Sequence, residues 1–347
     1  MGLTRIAIAG LGAAARNIHL PALKKIDGIE LVGSHDPIVQ IPGLPYFASI
    51  EALLEGARPD ILVVASPPSA HVDTVCAGLE AGCHIFCEKP LAQSLAEVDH
   101  IIKTAHEVGR HVVVNSEFPF IPIHAEARKL IGTERFGRLL FIEARQYFGV
   151  SDDMDAGWRG VDPQRTFKEF GTHILDLCKF FFAESPHAMR ARMPRPKDTD
   201  GPDLLNIIQL EFSGDRVANI ILNRLANGTH RYLDIQLVGE KATIETSIGG
   251  RAALTLGLDG QSRRPFADLD FAFGGRARLL TGNRHYTIAR APIDLFADAT
   301  ARLFRAFLVA LRDGSEPPNS LRDARETIAF LYGAYASAAD GSTFRNA

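Results

Sequence analysis

The chain has 347 residues, and its 38 lysines and arginines set against 41 aspartates and glutamates leave a formal net charge of −3. Because this balance is so even and no basic run occurs, we expect neither a nucleic acid nor a membrane surface as a partner. The composition, with 46% hydrophobic residues, is that of a globular protein long enough for two domains, and no apolar run reaches the ~18–20 residues of a membrane-spanning helix.

The N-terminal stretch and the cysteines indicate a cytoplasmic protein. The first apolar run leads directly into glycines and has no cleavable small-residue site, so it does not resemble a secretory signal. The cysteines, which are Cys76, Cys83, Cys87 and Cys178, are too few for a disulfide framework and form no C-x-x-C pair. We therefore predict reduced thiols, and no spacing of histidine, cysteine and acidic residues suggests a metal site.

Short β-branched runs alternate with helical patterns over the first part of the chain. The predicted strands lie at 5–9, 30–35, 61–65, 84–87 and 111–115. Helices are predicted at 49–56, 69–81 and 94–108, and each begins with a serine that can accept from the first free backbone N–H groups. This alternation is typical of a doubly wound parallel sheet.

A glycine-rich turn directly follows the first predicted strand. It has the form Gly-x-Gly-x-x-Ala, in which the first glycine allows a tight turn and the second lets the backbone approach a pyrophosphate. The pyrophosphate would lie at the N-terminus of the next helix, where free N–H groups favour negative charge. The residues predicted to contact a dinucleotide here are Gly10, Gly12, Ala13 and Ala14.

The second predicted strand ends at Asp36, 24 residues after Gly12, close to the ~20 expected for an acid that accepts hydrogen bonds from the cofactor ribose. Such an acid repels a 2′-phosphate, and no lysine or arginine follows it before Arg58. The pattern therefore favours NAD over NADP. The competing interpretation is a structural turn followed by an ordinary aspartate at a strand end.

Two further segments follow predicted strands at the same edge of the sheet, where ligands bind in open α/β folds. Glu88 and Lys89 come directly after the fourth strand and precede a proline, which favours a functional lysine over a solvated one. Ser66, Pro67 and His71 follow the third strand and are predicted to contribute to the cofactor site. His71 could instead only pack or cap a helix.

The pattern changes after about residue 118, so the predicted domains are 1–118 and 119–347, with the C-terminal helices free to pack back on the first domain. Helices are predicted at 123–131, 166–182, 292–312 and 321–339, and an extended run at 139–148 leads into a polar loop at 152–164. Strands at 204–212, 216–225, 232–238, 242–246 and 252–258 have turn residues between them. We predict that they form an antiparallel meander.

The order of four motifs resembles the Gfo/Idh/MocA family, the group of glucose–fructose oxidoreductase and inositol dehydrogenase. The motifs are Gly-x-Gly-x-x-Ala, Ser-Pro-Pro-Ser-Ala-His, Glu-Lys-Pro and a later Glu-Phe-Gly-Thr-His-Ile-Leu-Asp. The resemblance implies an N-terminal Rossmann domain and a C-terminal α+β domain whose large open, mostly antiparallel sheet forms a homodimer or homotetramer contact. It also implies that Lys89, Glu169 and His173 form the catalytic set.

That resemblance further implies hydride transfer between NAD(P) and a secondary alcohol of a sugar, inositol or related polyol. His173 would act as the base, Lys89 would stabilise the developing alkoxide, and Glu169 would orient the hydroxyl or the imidazole. Glu169 and His173 are four residues apart on the predicted helix and so share a face. Two alternatives remain open at this point, an NAD-using glycosidase of the same fold and a ligand sensor without turnover.

Several residues near the predicted catalytic helix are candidates for substrate binding. The family usually has aspartate at the position of Glu169 and a run of glycines before it, whereas this chain has Arg165 and Lys168 there. Both cations either bind an acidic group of the substrate or are simply solvated in the first helical turn. The aromatic and basic residues Tyr147, Trp158 and Arg159 either line the pocket or belong to the core and surface. Gly171 within the helix predicts close packing against it.

Overall fold

The computed structural model describes residues 3–147, 149, 162–196, 201–226, 231–258, 265–282 and 284–346. The chain forms two compact units. The first unit comprises Met1–Phe120 and Phe296–Ala329, and the second comprises Ile121–Leu295 and Phe330–Ala347. Within the described residues, no helix has both the length and the apolar composition needed to cross a membrane.

The first unit contains a five-stranded parallel sheet in the order β2-β1-β3-β4-β5. Its strands are β1 (Thr4–Ala9), β2 (Ile29–His35), β3 (Ile61–Val64), β4 (His84–Cys87) and β5 (Val112–Val114). The prediction of a doubly wound parallel sheet with these five strands is confirmed. The strand order reverses between β1 and β3, and this is the point at which such sheets bind ligands.

Helices connect these strands. A π turn, Ala15–His19, follows the glycine-rich turn and continues into α1 (Leu20–Leu23); the later helices are α2 (Ile50–Ala57), α3 (His71–Glu80) and α4 (Leu95–Val108). The predicted serine caps of α2 and α4 are confirmed, because Ser49 accepts from Ala52 N and Ser94 accepts from Glu97 N.

The predicted serine cap of α3 is wrong. Ser69 lies in a 3-10 turn, Pro68–Ala70, and α3 begins at His71 after Ala70, without a side-chain cap. The physical reason is the Pro67-Pro68 pair, because a residue that precedes proline is disfavoured in the α region. Pro67 is extended, with ψ 149°, so the regular helix starts only after the second proline.

The sheet of the first unit is buried as parallel sheets are. Every residue of β3 is buried, in keeping with a strand covered on both faces. Helix α7 (Leu295–Asp313) contributes Phe304 and Phe307 to this core, and the ring centroids of Phe304 and Phe86 lie 4.9 Å apart. The helix that closes the chain is α8 (Leu321–Asp340).

The second unit contains a nine-stranded sheet in the order β15-β14-β11-β10-β6-β9-β8-β7-β16 and a separate hairpin, β12-β13. The strands are β6 (Leu139–Tyr147), β7 (Ala188–Arg192), β8 (Leu205–Phe212), β9 (Arg216–Asn223), β10 (Arg231–Gly239), β11 (Thr243–Ile248), β12 (Arg251–Leu258), β13 (Pro265–Ala272), β14 (Gly275–Thr281), β15 (Arg284–Ala291) and β16 (Phe344–Arg345). The large, mostly antiparallel sheet that the family resemblance implied is present.

The predicted meander is wrong at two connections. Strands β9 and β10 are not neighbours, because β6 lies between them and pairs in parallel with β9. The turn residues predicted between these two strands are Asn227 and Gly228, and they lie outside the described residues. Strand β12 also does not pair with β11: it pairs with β13 in the separate hairpin, and β14 lies beside β11. Five strands, β7 and β13 to β16, were not predicted. For β16 the partner, β7, is distant in sequence, and periodicity cannot detect such a pairing, whereas β13, β14 and β15 lie in hairpins that the pattern did not reveal.

Helix α5 (Pro122–Leu130) and a longer helical segment complete the second unit. The segment predicted as one regular helix begins with a π turn, Phe167–Gly171, and continues as α6 (Thr172–Phe182). A Cβ atom on Gly171 would lie 1.9 Å from the ring of Phe167. The predicted close packing at Gly171 is therefore confirmed, and the ring of a residue one turn earlier is what packs there.

The nine-stranded sheet has one face covered by this helical segment. The ring of Phe182 on α6 lies 4.2 Å from that of Phe212 on β8. Buried residues alternate along β8 and β9, and the same face of β6 contains Ala144 and Gln146. Tyr147 is on the opposite, open face. This alternation determines which side chains can lie near the predicted catalytic helix.

Candidate active site

The glycine-rich turn lies where the strand order reverses. Gly10 has φ +89°, and a Cβ atom there would lie 2.4 Å from the backbone nitrogen of Ser66, so only glycine lets the end of β1 approach the end of β3 this closely. Gly12 is different, because a Cβ atom there would meet nothing within 4 Å. Gly10 therefore shapes the turn, and Gly12 leaves open space beside it.

This region fits a dinucleotide on two observations. The space beside Gly12 and the half-exposed Ala14 lies at the start of a helix, where backbone N–H groups attract phosphate. The buried hydroxyl oxygen of Ser66 has no hydrogen-bond partner among the described residues, which suits a site completed by a ligand. Pro67 is exposed at the same rim. The structure thus brings Gly10 and Ser66 together, and contact of the other predicted residues with the cofactor stays a prediction.

Asp36 holds a fixed negative charge at this turn. Its carboxylate accepts from the backbone N–H of Leu11 at 2.7 Å, of Ile38 at 2.9 Å and of Val39 at 2.8 Å. Partial burial acts to raise the pKa of Asp36, but these backbone hydrogen bonds outweigh it and leave the pKa below its ordinary value. The carboxylate is therefore charged at neutral pH and lies beside the predicted pyrophosphate position.

Glu88 is a hydrogen-bond centre behind Lys89. One carboxylate oxygen accepts from His19 Nε2 at 2.7 Å and from Asn115 Nδ2 at 2.8 Å, and the other accepts from the backbone N–H of Lys89 at 3.2 Å. Asn115 also accepts from the hydroxyl of Thr300 on α7 at 3.2 Å. The carboxylate thus contacts His19, Asn115 and Lys89, and Asn115 connects this network to α7; direct contact between Glu88 and the cofactor stays a prediction.

The hydrogen bonds of Glu88 stabilise its charged form. Burial acts to raise the pKa of Glu88, but the hydrogen bond and charge of His19, the charge of Lys89 and the hydrogen bond from Asn115 lower it to about 2. A largely buried carboxylate is tolerated in this state because each oxygen has donors. The network therefore depends on a deprotonated Glu88.

His71 connects the two loops at the edge of the sheet. Its ring is fully buried, with Nδ1 2.9 Å from the carbonyl oxygen of Pro90 and Nε2 2.8 Å from that of Ser66. Burial lowers the pKa of His71, and the hydrogen bonds to the two carbonyls act in the opposite direction. His71 thus holds the loop that contains Lys89 and the loop that contains Ser66.

The second unit carries Glu169 and His173. Glu169 lies in the π turn and accepts from Arg165 Nε at 3.3 Å, and His173 is buried on α6. Arg165 is 1% exposed, so the interpretation of Arg165 as a solvated residue is wrong. Lys168 also is not simply solvated, because its ammonium lies 2.7 Å from the carboxylate of Asp162 and is mostly buried.

Asp203, which sequence analysis missed, holds the start of this helical segment. Its carboxylate accepts from the backbone N–H of Thr166 at 2.8 Å and of Phe167 at 3.3 Å, from Asn206 Nδ2 at 3.0 Å and from the hydroxyl of Tyr335 at 2.9 Å. An anion at a helix N-terminus is favourable because the first N–H groups have no partner within the helix. Asp203 therefore acts as a cap supplied by the segment that precedes β8.

Arg224 is a second buried cation that sequence analysis missed. It follows β9, is 2% exposed, and its guanidinium carbon lies 5.5 Å from the centroid of the Phe170 ring. Burial and then the charge of Arg165 lower the pKa of Arg224 to about 10, although Glu169 acts in the opposite direction. No local pattern distinguishes this arginine from a surface residue, since its burial follows from the sheet.

The remaining predicted substrate residues are elsewhere. Tyr147 lines a cavity of about 260 Å³ on the open face of the sheet, together with Arg145 and Arg278. The structure thus does not bring Tyr147 to the face covered by α6. Trp158 and Arg159 lie outside the described residues. Within the part of the chain that the structure describes, no group of three or more histidine, cysteine or acidic side chains could hold a metal ion.

Two family matches account for these features. Residues 4–116 match the Gfo/Idh/MocA oxidoreductase family, NAD-binding Rossmann fold, and residues 124–245 match the Gfo/Idh/MocA C-terminal domain. Together the matches span more than half of the chain. The chain therefore belongs to the Gfo/Idh/MocA family of oxidoreductases, as its motifs suggested.

Individual relatives have diverged in sequence. D-apiose dehydrogenase from Paraburkholderia graminis is 25% identical over 97% of this chain and 88% of its own length, and inositol 2-dehydrogenase 2 from Saccharopolyspora erythraea is 26% identical over 62% of each chain. Among solved structures, an oxidoreductase from Agrobacterium radiobacter in complex with NAD⁺, L-tartaric acid and magnesium has a TM-score of 0.80 at 18% identity, covering 99% of this chain and 98% of that one. The aldose–aldose oxidoreductase from Caulobacter crescentus has a TM-score of 0.78 at 19% identity and full coverage of both chains. These likenesses show that the fold is shared.

The low pKa of Glu88 predicts a pH-dependent loss of stability. The folded-state pKa is about 2 against an ordinary 4.5, so the contribution of Glu88 is fully present above about pH 5 and is lost as the pH falls toward 2. Its size is at most about 3 kcal/mol. Urea unfolding of the wild type and of Glu88→Gln can be followed by circular dichroism at several pH values. The wild type should have the larger free energy of unfolding, and the difference should shrink as the pH falls from about 5 toward 2.

Glu107→Gln is the matched control, because Glu107 is an exposed glutamate of the same unit. The free energy of unfolding of Glu107→Gln should differ little from that of the wild type at every pH. A wild-type advantage over Glu88→Gln that stayed constant between pH 6 and pH 3 would contradict the assignment of a depressed pKa to Glu88.

Proposed function

We propose that this oxidoreductase transfers a hydride between NAD and a secondary alcohol of a sugar, inositol or related polyol. The observation that carries the proposal is the placement of Lys89 directly after β4, at the cofactor edge of the parallel sheet, on a loop held by Glu88 and His71. The names of the relatives, D-apiose dehydrogenase and inositol 2-dehydrogenase 2, support the same substrate class.

The proposed roles follow from what alcohol oxidation requires. When bound, NAD supplies the nicotinamide carbon that accepts the hydride. The hydroxyl proton must leave as well, and His173 is the proposed acceptor because a neutral imidazole can take it near neutral pH. The Lys89 ammonium would stabilise the negative charge that develops on the same oxygen. Glu169 would orient the substrate hydroxyl or the imidazole, with its own position set by Arg165.

The cofactor preference is the first prediction from this proposal. Because the fixed charge of Asp36 repels a 2′-phosphate, the protein should bind NADH more tightly than NADPH. Asp36→Asn removes the charge and keeps an oxygen that accepts backbone hydrogen bonds. The ratio of NADH affinity to NADPH affinity should therefore fall by about tenfold. Fluorescence titration with both nucleotides measures this ratio.

Asp60→Asn is the control for this experiment. Asp60 also accepts from a backbone N–H, that of Arg5 at 2.8 Å, but it precedes β3 and so lies at the opposite edge of the parallel sheet. The control should leave the ratio of the two affinities unchanged. Equal binding of NADH and NADPH by the wild type would rule out the assignment of Asp36 to the ribose.

Lys89 and His173 generate the second prediction. Lys89→Ala should lower kcat by roughly 100-fold, as the loss of an oxyanion donor does, with little change in NADH affinity. The wild-type rate of alcohol oxidation should rise with pH over the range in which imidazoles lose a proton, and His173→Ala should lack this step and be slow throughout. Initial rates of NADH formation across pH measure both effects.

Lys103→Ala provides the matched control, since Lys103 is an exposed lysine of α4 that faces Glu107. It should keep the wild-type rate and pH profile. Turnover of Lys89→Ala close to that of the wild type would show that Lys89 is a surface lysine. A His173→Ala profile matching the parent would show that the histidine only packs.

We also propose a homodimer or homotetramer formed through the open face of the nine-stranded sheet, and a cytoplasmic location in keeping with four free, buried cysteines. The open face exposes Ile207, which is 46% accessible. Ile207→Glu should shift the protein toward monomer in sedimentation velocity, because it places charge in an apolar contact. The control is Val309→Glu on α7, where the parent residue is 45% accessible, and it should leave the oligomeric state unchanged. A monomeric wild type would exclude the proposal.

A further inference from the structure

One tyrosine of the C-terminal helix contacts the start of the helical segment that carries Glu169 and His173. The hydroxyl of Tyr335 on α8 donates to the carboxylate of Asp203 at 2.9 Å. The backbone N–H of Lys168 donates in turn to this hydroxyl. A phenol can be a donor and an acceptor at once, so Tyr335 connects the carboxylate to the backbone of the segment.

Asp203 and Tyr335 together bind three successive backbone N–H groups. The carboxylate accepts from Thr166 at 2.8 Å and from Phe167 at 3.3 Å, and the Tyr335 hydroxyl accepts from Lys168. The first N–H groups of a helix have no partner within the helix. Two side chains therefore share the cap, one from the segment before β8 and one from α8.

The hydroxyl of Tyr335 also compensates the burial of Asp203, which is 0% exposed. Burial raises the pKa of Asp203, and four hydrogen bonds, one of them from Tyr335, act in the opposite direction. Burial and then the charge of Asp203 raise the pKa of Tyr335 itself, so its hydroxyl stays protonated and remains a donor. Removal of this donor would leave a buried carboxylate oxygen with fewer hydrogen bonds, which is unfavourable.

The ring of Tyr335 contacts the same segment at a second place. It lies edge-on to the ring of Phe167, with the ring centroids 6.3 Å apart. Phe167 in turn lies against Gly171, where a Cβ atom would come within 1.9 Å of the ring. Gly171 lies between Glu169 and His173 in the sequence. Tyr335 therefore acts on the start of the segment through its hydroxyl and on the middle of the segment through Phe167.

We propose that Tyr335 is a positioning residue for the proposed reaction, because it fixes the helical segment from which Glu169 and His173 project. The tyrosine acts through Asp203, Lys168 and Phe167 and not by contact with the substrate. Such a role affects the rate because a misplacement of about 1 Å can lower the rate about 100-fold. This inference rests on the proposed function, since it assigns a residue to the same reaction.

Tyr335→Phe tests the hydroxyl, because it removes the hydrogen bonds and keeps the ring. Oxidation of myo-inositol, D-apiose and D-glucose by NAD gives kcat and KM for the compound that the wild type oxidises fastest. In the variant, kcat should fall by about tenfold, whereas KM and the affinity for NADH should change by less than about threefold. Tyr335→Leu also removes the ring contact with Phe167 and should lower kcat further.

Amide hydrogen exchange of the NADH complex gives a second readout that needs no turnover. Mass spectrometry of peptides that cover residues 164–171 should show exchange about tenfold faster in Tyr335→Phe than in the wild type. The reason is that the N–H of Lys168 loses its acceptor and Asp203 loses a donor. Peptides from α4, in the first unit, should exchange at the wild-type rate.

Tyr286→Phe is the matched control, because Tyr286 is a tyrosine of the second unit that is 41% exposed on β15. It should keep the kcat, KM and exchange rates of the wild type. Asp203→Asn should also lower kcat, and its effect should not add fully to that of Tyr335→Phe, because the tyrosine acts partly through Asp203. If Asp203→Asn does not fold, as judged by circular dichroism, the two Tyr335 variants decide the question.

Two results would overturn the proposal. One is a wild-type kcat in Tyr335→Phe, and the other is unchanged exchange over residues 164–171, even if the variant unfolds at a lower temperature, since the tyrosine would then contribute to stability alone. A wild type that oxidises none of the three compounds would count against the proposed function. In that case faster exchange in Tyr335→Phe would still support the role of Tyr335 in fixing the segment, and unchanged exchange would contradict it.

Discussion

The functional edge of the first unit depends on the hydrogen bonds of one largely buried carboxylate, that of Glu88. It accepts hydrogen bonds from His19, which follows the glycine-rich turn, from Asn115 after β5 and from the backbone of Lys89. These partners come from three segments that are far apart in sequence. A single deprotonated group therefore aligns the cofactor turn with the loop of the proposed catalytic lysine, and His71 reinforces that loop by contacting Pro90.

The second unit has a similar hydrogen-bonded acid at Asp203, although burial raises the pKa of this carboxyl group whereas that of Glu88 is lowered. The Asp203 carboxylate caps the helical segment through Thr166 and Phe167, and Tyr335 holds the carboxylate from the C-terminal helix. Glu169 and His173 follow within two turns of that cap. The Asp203 carboxyl group therefore fixes the start of the helical segment from which both side chains project. In each unit, one acid, Glu88 or Asp203, has no proposed role in the reaction itself. Its hydrogen bonds instead position the residues that are proposed to react. Such networks are rigid because every unmet hydrogen bond would be unfavourable in a buried site.

Periodic and local features were predictable from the sequence, and features that depend on strand partners were not. The five parallel strands, the serine caps at Ser49 and Ser94 and the packing at Gly171 each follow from residues within one turn or strand. The prediction of a third cap, at Ser69, was wrong because α3 begins only at His71, after the Pro67-Pro68 pair. The insertion of β6 between β9 and β10 could not be predicted, because no short-range pattern records which strand will lie beside another.

The sequence by itself determined the class of protein and its cofactor turn. The glycine turn with Gly10 and Gly12 and the Glu-Lys-Pro motif each consist of residues close together in sequence, so they can be recognised without the fold. Their order along the chain indicated the oxidoreductase family to which the family matches assign it. Only the tertiary structure decided what surrounds Glu169. Burial of Arg165, pairing of Lys168 with Asp162 and the placement of Arg224 all follow from sheet register and packing. A charged side chain has the same identity whether solvated or enclosed, so its environment is set by residues that the fold brings from elsewhere.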